Sequence, residues 1–209
     1  MNFNNVLILA PHPDDAEFST GGALNRMASE GATIWQAVFS PCIKSLPEGA
    51  EEDLLYKELD KAASNLGIKS ENMIKYNFPV REFPKYRQDI LEELIHLKKR
   101  IRPDLVFIPN SNDVHQDHHV IYEEGVRAFK SGRILGYELP WNNLISVNNF
   151  FFSLERANLD AKIKAISAYK SQEFRNYKDN DYFYCLAKTR GVQANCEFAE
   201  AFELIKWIY

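Results

Sequence analysis

Val6-Leu7-Ile8-Leu9-Ala10-Pro11-His12-Pro13-Asp14-Asp15-Ala16-Glu17 decides the fold. The run Val6 to Leu9 is short, apolar, β-suited and bounded by proline, which reads as a buried parallel strand. The His-Pro-Asp-Asp turn therefore falls at a strand's carboxyl end, where open α/β sheets bind ligands. A second apolar run, Leu105-Val106-Phe107-Ile108, leads to His115-Gln116-Asp117-His118-His119. Two His/Asp clusters, each following a strand of one parallel sheet, converge on one edge. That is the geometry of a mononuclear metal site.

Outward from this strand the chain alternates. A helix is predicted over Gly21 to Ser29, stopped by Gly31, then a strand over Ala32 to Phe39. A helix over Glu51 to Asn65 and a strand over Met73 to Phe78 follow. Arg87 to Arg100 repeats Ile90, Leu91, Leu94, Ile95 and Leu97 at helical spacing, closed by Pro103. After the Leu105–Ile108 strand, a helix is expected from near His118 to Phe129. The last third reads as strands at Arg133–Glu138 and Asn148–Leu154 and helices at Leu159–Gln172 and Tyr182–Thr189. Phe198 to Ile208 fits either a strand or a helix. Alternating strands and helices predict right-handed βαβ units, hence an α/β, Rossmann-like three-layer α/β/α sandwich with a mainly parallel sheet. One domain over residues 1–209 is expected at this length. The first turn carries no Gly-x-Gly-x-x-Gly, which argues against a dinucleotide site.

Composition narrows the class. Hydrophobic residues make up 45% and charged residues 26% of the chain, as in an ordinary globular protein. A net charge of −4 argues against a nucleic-acid surface. Cys42, Cys185 and Cys196 lack zinc-finger spacing and read as reduced thiols, so a cytoplasmic protein is expected. No basic segment precedes the first apolar run, and no apolar stretch reaches the length of a membrane span.

The paired motifs resemble those of the PIG-L/LmbE-like zinc-dependent deacetylases, which act on N-acetylamino sugars. His12-Pro13-Asp14-Asp15-Ala16-Glu17, Gly21-Gly22 and His115-Gln116-Asp117-His118 match the family signature. Glu58, Ala62, Leu66-Gly67, Tyr169-Lys170-Ser171-Gln172 and Ala199-Glu200-Ala201-Phe202 extend the likeness along the chain. The resemblance implies His12, Asp15 and His118 as metal ligands, Asp14 as general base and His115 as the oxyanion partner. It implies a Zn2+ cofactor, although two histidines and a carboxylate also suit Fe2+. The implied reaction removes the N-acetyl group from an N-acetylglucosamine-like small-molecule substrate; homo-oligomerisation is left open.

Amide hydrolysis at neutral pH needs a strong nucleophile and stabilisation of charge on the carbonyl oxygen, which such a set supplies. Asp14 would take the water's proton, or else cap the following turn. A protonated His115 would bond the oxyanion, kept charged and oriented by Asp117, which also suits a helix N-cap. His96 reads as a surface or boundary residue, His119 as structural or solvent-facing, Glu17 as stabilising the loop and Cys42 as a buried thiol. Trp141 and Asn143 are candidates for lining a sugar site, with ordinary packing the alternative. Family members related to the thiol pathway place an anchoring Arg three residues before the Glu matched by Glu58; here that residue is Leu55. Arg81, at the end of the third strand, is the expected replacement anchor, with Arg87 the weaker candidate. A non-catalytic metal- or sugar-binding protein of the same fold is the alternative, and it would need neither Asp14 nor His115.

Overall fold

The computed structural model describes residues 3–173 and 179–208. In chain order its elements are β1 (Asn5–Ala10), α1 (Asp15–Ser29), β2 (Thr33–Val38), α2 (Leu54–Asn65), β3 (Met73–Lys75), α3 (Arg87–Ile101) and β4 (Leu105–Pro109). There follow α4 (Gln116–Phe129), β5 (Ile134–Tyr137), β6 (Phe150–Leu154), α5 (Arg156–Ile166), α6 (Asn180–Gln193) and β7 (Phe198–Lys206). The seven strands form one sheet in the order β3-β2-β1-β4-β5-β7-β6. β3, β2, β1, β4 and β5 run parallel, and β7 lies antiparallel between β5 and β6.

β1 shows why the sheet needs helices on both faces. Val6, Ile8 and Ala10 point into a core with Leu24 of α1, Leu59 of α2 and Ile166 of α5. Leu7 and Leu9 point the other way, against Ile90 and Leu94 of α3 and Ile121 of α4. Each of these β1 side chains is fully buried, which for a leucine or isoleucine is worth about 1.5–3 kcal/mol. The chain leaves β1 toward β2 and β3 on one side, and β4 and β5 build the other. The loops after β1 and β4 thus part at the switch point of the sheet, which opens a crevice there. These are the loops that carry the two His/Asp clusters.

Several boundaries differ from those predicted. α1 begins at Asp15 rather than Gly21, because Asp15 to Phe18 already form its first turn. Gly21 and Gly22 lie within the helix because of packing. A Cβ on Gly21 would stand 2.9 Å from Lys162 Cγ, and one on Gly22 would stand 2.5 Å from Leu154 Cδ1. β3 is shorter than predicted, and the helix expected over Leu159–Gln172 is α5 followed by a separate 3-10 turn, Lys170–Gln172. Phe198–Lys206 adopts the strand alternative. Among the described residues, no helix is long and apolar enough to cross a membrane.

One buried charge pair ties α1 to this frame. Glu200 of β7 accepts the backbone N–H groups of Gly22 (3.0 Å) and Ala23 (2.7 Å) and pairs with Lys162 Nζ of α5 at 2.6 Å. Both charged side chains are buried. Glu200→Ala leaves Lys162 buried without this carboxylate, so a loss of about 3–5 kcal/mol is expected. Chemical denaturation checks this, and Glu200→Leu combined with Lys162→Met is expected to lose less than Glu200→Ala alone.

Candidate active site

The β1 loop and the first turn of α1 present His12, Asp14 and Asp15; the β4 loop and the first turn of α4 present Asp113, His115, Asp117 and His118. Three donor atoms converge. His12 Nδ1 lies 3.1 Å from His118 Nε2 and 3.4 Å from Asp15 Oδ2, and His118 Nε2 lies 3.3 Å from Asp15 Oδ2. Tetrahedral zinc with ligands at about 2.0–2.1 Å sets its donors about 3.3 Å apart, so the triangle has the dimensions of one face of such a site. His115 stands beside it, and the histidine donor atoms of His12, His115 and His118 all lie within 4.8 Å of one another.

The far nitrogen of each converging imidazole is held by a carboxylate. His12 Nε2 is 3.1 Å from Asp117 Oδ2, and His118 Nδ1 is 2.7 Å from Asp113 Oδ2. With a proton on each outer nitrogen, these contacts would turn the inner nitrogens toward the triangle, the arrangement of histidine metal ligands. The acids also set the charge. Burial opposes protonation of His118, but Asp15 and Asp113 outweigh it and lift its pKa to about 10. Burial likewise opposes charge on Asp15, yet His118 and His12 hold it far below the usual carboxylate range. The pocket therefore favours positive charge at its centre, as a cation site must.

Asp113 was not among the residues singled out from sequence. It bonds His118 and also accepts the backbone N–H of His115 at 2.9 Å. The signal was its place two residues before His115, just outside the recognised cluster.

Asp117 differs from expectation. Its carboxylate bonds His12, together with the backbone N–H groups of Arg81 (2.6 Å) and Phe83 (3.2 Å). It does not cap α4; His115 does, with Nδ1 accepting the Asp117 N–H at 3.2 Å. That bond puts the ring proton of His115 on Nε2. Burial, then the neighbouring His118 and His12, push its pKa down to about 4. With Nδ1 engaged, Nε2 is the ring nitrogen that faces the cleft as a donor. Asp14 precedes α1 without a side-chain cap bond to it, so the capping alternative does not hold.

His12, Asp14, Asp15, His115 and His118 open into a cleft of about 270 Å3. Arg81 and Trp141 line it, together with Leu55, Asn142 and Gln172. Asn143 does not line it. Its Oδ1 accepts the Leu139 N–H at 2.8 Å and shapes the loop that presents Asn142. Arg87 is also elsewhere, paired with Glu123 and the buried Glu124. Gln172 is placed by Glu58, whose carboxylate accepts the N–H and hydroxyl of Ser171. Cys42 lines the cleft, but burial, with Asp14 and Asp15 nearby, pushes its thiol pKa far up, so it stays protonated. Burial also lifts Glu17 to about 8; its carboxyl packs against Gln36 and the Tyr169 hydroxyl beneath the Pro13 carbonyl. These contacts brace the loop after β1.

Residues 7–129 match the model of the PIG-L family, described as GlcNAc-PI de-N-acetylase. The chain belongs to the PIG-L family. It is 28% identical over 172 residues to YaiS of Escherichia coli K12, described as an uncharacterised deacetylase, covering 79% of this chain and 90% of that one. The N,N'-diacetylchitobiose deacetylase of Pyrococcus horikoshii superposes with a TM-score of 0.80 at 21% identity, covering 96% of this chain and 83% of that one. The 4-carboxy-2-hydroxymuconate hydratase GalB of Pseudomonas putida KT2440 superposes at 0.76 with 18% identity over 99% and 98% of the two chains. The shared fold thus accommodates more than one reaction. For this member, the family match and the histidine cluster support metal-assisted hydrolytic deacetylation.

Removing a carboxylate that orients a metal-bound histidine costs about 10–100-fold in metal affinity. Asp113→Ala is expected to weaken zinc binding on that scale, measured by competition with a chromogenic chelator. Unchanged affinity would show that the Asp113 contact orients nothing.

Proposed function

We propose that this protein is a zinc-dependent amidohydrolase that removes the N-acetyl group from an N-acetylglucosamine-like sugar or conjugate. The observation that carries this reading is the triangle of His12 Nδ1, Asp15 Oδ2 and His118 Nε2 at the floor of a cleft that also holds Asp14 and His115. His12, Asp15 and His118 would hold the ion. His115 fits less well as a ligand, since its Nδ1 already accepts the Asp117 N–H. Zinc suits hydrolysis, which requires no redox change, although the donor set also accommodates Fe2+. When bound, zinc lowers the pKa of a water toward ~7 and polarises the amide carbonyl.

The protein groups supply the remainder. Asp14 accepts the proton of the attacking water. The Nε2–H of neutral His115 donates a hydrogen bond to the carbonyl oxygen as it gains charge. Asp14, now protonated, passes that proton to the departing amine, and acetate and the free amino sugar result. Asp117 acts indirectly, by orienting His12. Trp141 and Asn142 offer an aromatic face and an amide to the sugar ring. Arg81 offers a planar fork of donors to a carboxylate, a phosphate or paired hydroxyls of the substrate. Its backbone is held at a left-handed φ of 67° while Asp117 accepts its N–H, so the loop bearing this anchor is tied to the metal site.

Asp14→Asn is expected to retain one metal ion per chain and to release acetate at least ~10²-fold more slowly. Near-wild-type turnover would make Asp14 structural. Arg81→Ala is expected to raise KM at least ~10-fold on a substrate bearing an anionic substituent, the scale of a lost charge-assisted hydrogen bond. It should matter less for free N-acetylglucosamine. An unchanged KM on every active substrate would remove Arg81 from the binding site.

A further inference from the structure

Glu203 is an acid where the sheet pattern calls for an apolar side chain. It shares its face of β7 with Ile205, which packs against the core under α3 and α4. The carboxylate is half-buried there, and among the described residues no cation pairs with it. Its hydrogen-bond donors both belong to one residue. The Ser111 N–H donates to Oε2 and the Ser111 hydroxyl to Oε1, each at 2.8 Å. Taking a carboxylate out of water is unfavourable unless hydrogen bonds compensate it. Strand pairing alone does not require an acid at this position.

The sheet leaves room for the contact. Ser111 follows β4, whereas β7 lies beyond β5 in the strand order. The Glu203 side chain must therefore cross β5, and it does so at Gly136, its partner in the β5–β7 register. A Cβ on Gly136 would stand 3.1 Å from Glu203 Oε2 and 3.2 Å from Asn110 Cα. The bare backbone there keeps the passage open.

What Ser111 holds is the approach to the candidate metal site. Residues 110–113 form a closed turn, in which the Asp113 N–H donates to the Asn110 carbonyl at 3.2 Å and the Asn112 N–H to Asn110 Oδ1 at 2.9 Å. Ser111 sits inside that turn and Asp113 ends it. Asp113 then takes the His115 N–H on one oxygen and His118 Nδ1 on the other. A displacement at Ser111 passes through the turn to the carboxylate that orients His118.

We propose that Glu203 is a positioning residue for the metal site, acting on His118 through Ser111 and Asp113. It lies outside residues 7–129, the segment matched by the family model, so this contribution comes from the later part of the chain. The role rests on the metal-site reading above and adds to it a support that reaches in across β5.

The test is a thermodynamic cycle of zinc affinities, measured on the full chain by competition with a chromogenic chelator. Glu203→Ala is expected to weaken zinc binding about 10-fold, the lower end of the loss when a group that orients a metal-bound histidine is removed. In an Asp113→Ala background the same substitution should cost less than about twofold, because two residues on one route do not add. Glu203→Gln should stay within about threefold of wild type, since its amide still accepts the Ser111 N–H and donates to the hydroxyl oxygen. Unchanged affinity in Glu203→Ala overturns the proposal. So do equal losses with and without Asp113, which is what a merely structural role gives. If Glu203→Ala does not fold, Ser111→Ala, which removes the hydroxyl, enters the same cycle with an expected loss of about threefold and is judged the same way. If the wild type binds no zinc, the metal reading fails instead, and long-range 1H–15N spectra of the zinc-free protein decide whether Glu203 positions the histidines. Glu203→Ala should then shift the ring signals of His115 and His118 while exposed His96 stays in place; unmoved His115 and His118 signals overturn the role.

Discussion

The candidate site depends on the buried contact between Asp117 and His12, side chains 105 residues apart in sequence and 3.1 Å apart in space. Asp117 simultaneously accepts two backbone N–H groups from the loop before α3. One carboxylate thereby fixes the ring of a candidate metal ligand, the start of α4 and the loop carrying Arg81. A buried carboxylate is costly unless its oxygens are satisfied, and here both oxygens have partners. The arrangement leaves little freedom in where His12 Nδ1 points.

That constraint works because the sheet brings the loops together first. β1 and β4 are hydrogen-bonded neighbours, with Val6, Leu7 and Ile8 paired to Leu105, Val106 and Phe107. Two apolar strands with residues buried to both faces require helices on each side, and the helices that follow them start at the site. Asp15 opens α1 and His118 lies in the first turn of α4. Ligands on helix starts and strand ends are held more rigidly than ligands in a free loop, which suits a metal site whose donors must sit within a few tenths of an ångström.

Much of this was legible in the sequence. Val6–Leu9 and Leu105–Ile108 have the unbroken apolar character of parallel strands buried on both faces, and the His/Asp motifs follow each directly. What escaped was contact chemistry. Gly21-Gly22 looked like a helix entrance because helix-breaking propensity is local, whereas the close approach of Lys162 and Leu154 is tertiary. Asp117 was assigned to His115, its sequence neighbour, because nothing local reveals that its side chain crosses to His12. Which asparagine of the 142–143 turn lines the cleft is set by the bond of Asn143 to Leu139, which no local pattern reveals. Asp113 was overlooked because a lone acid outside a motif looks like any surface acid until the distance to His118 is known.

The proposed chemistry turns on a metal held by His12, Asp15 and His118 that drives release of acetate from an N-acetylglucosamine conjugate. The most direct measurement titrates zinc into chelator-stripped protein while acetate release is followed. Activity is expected to rise with added zinc, to saturate at one equivalent per chain, and to stay flat for His12→Ala. Full activity in the stripped protein, or no acetate from any N-acetylglucosamine conjugate once zinc is bound, would contradict it.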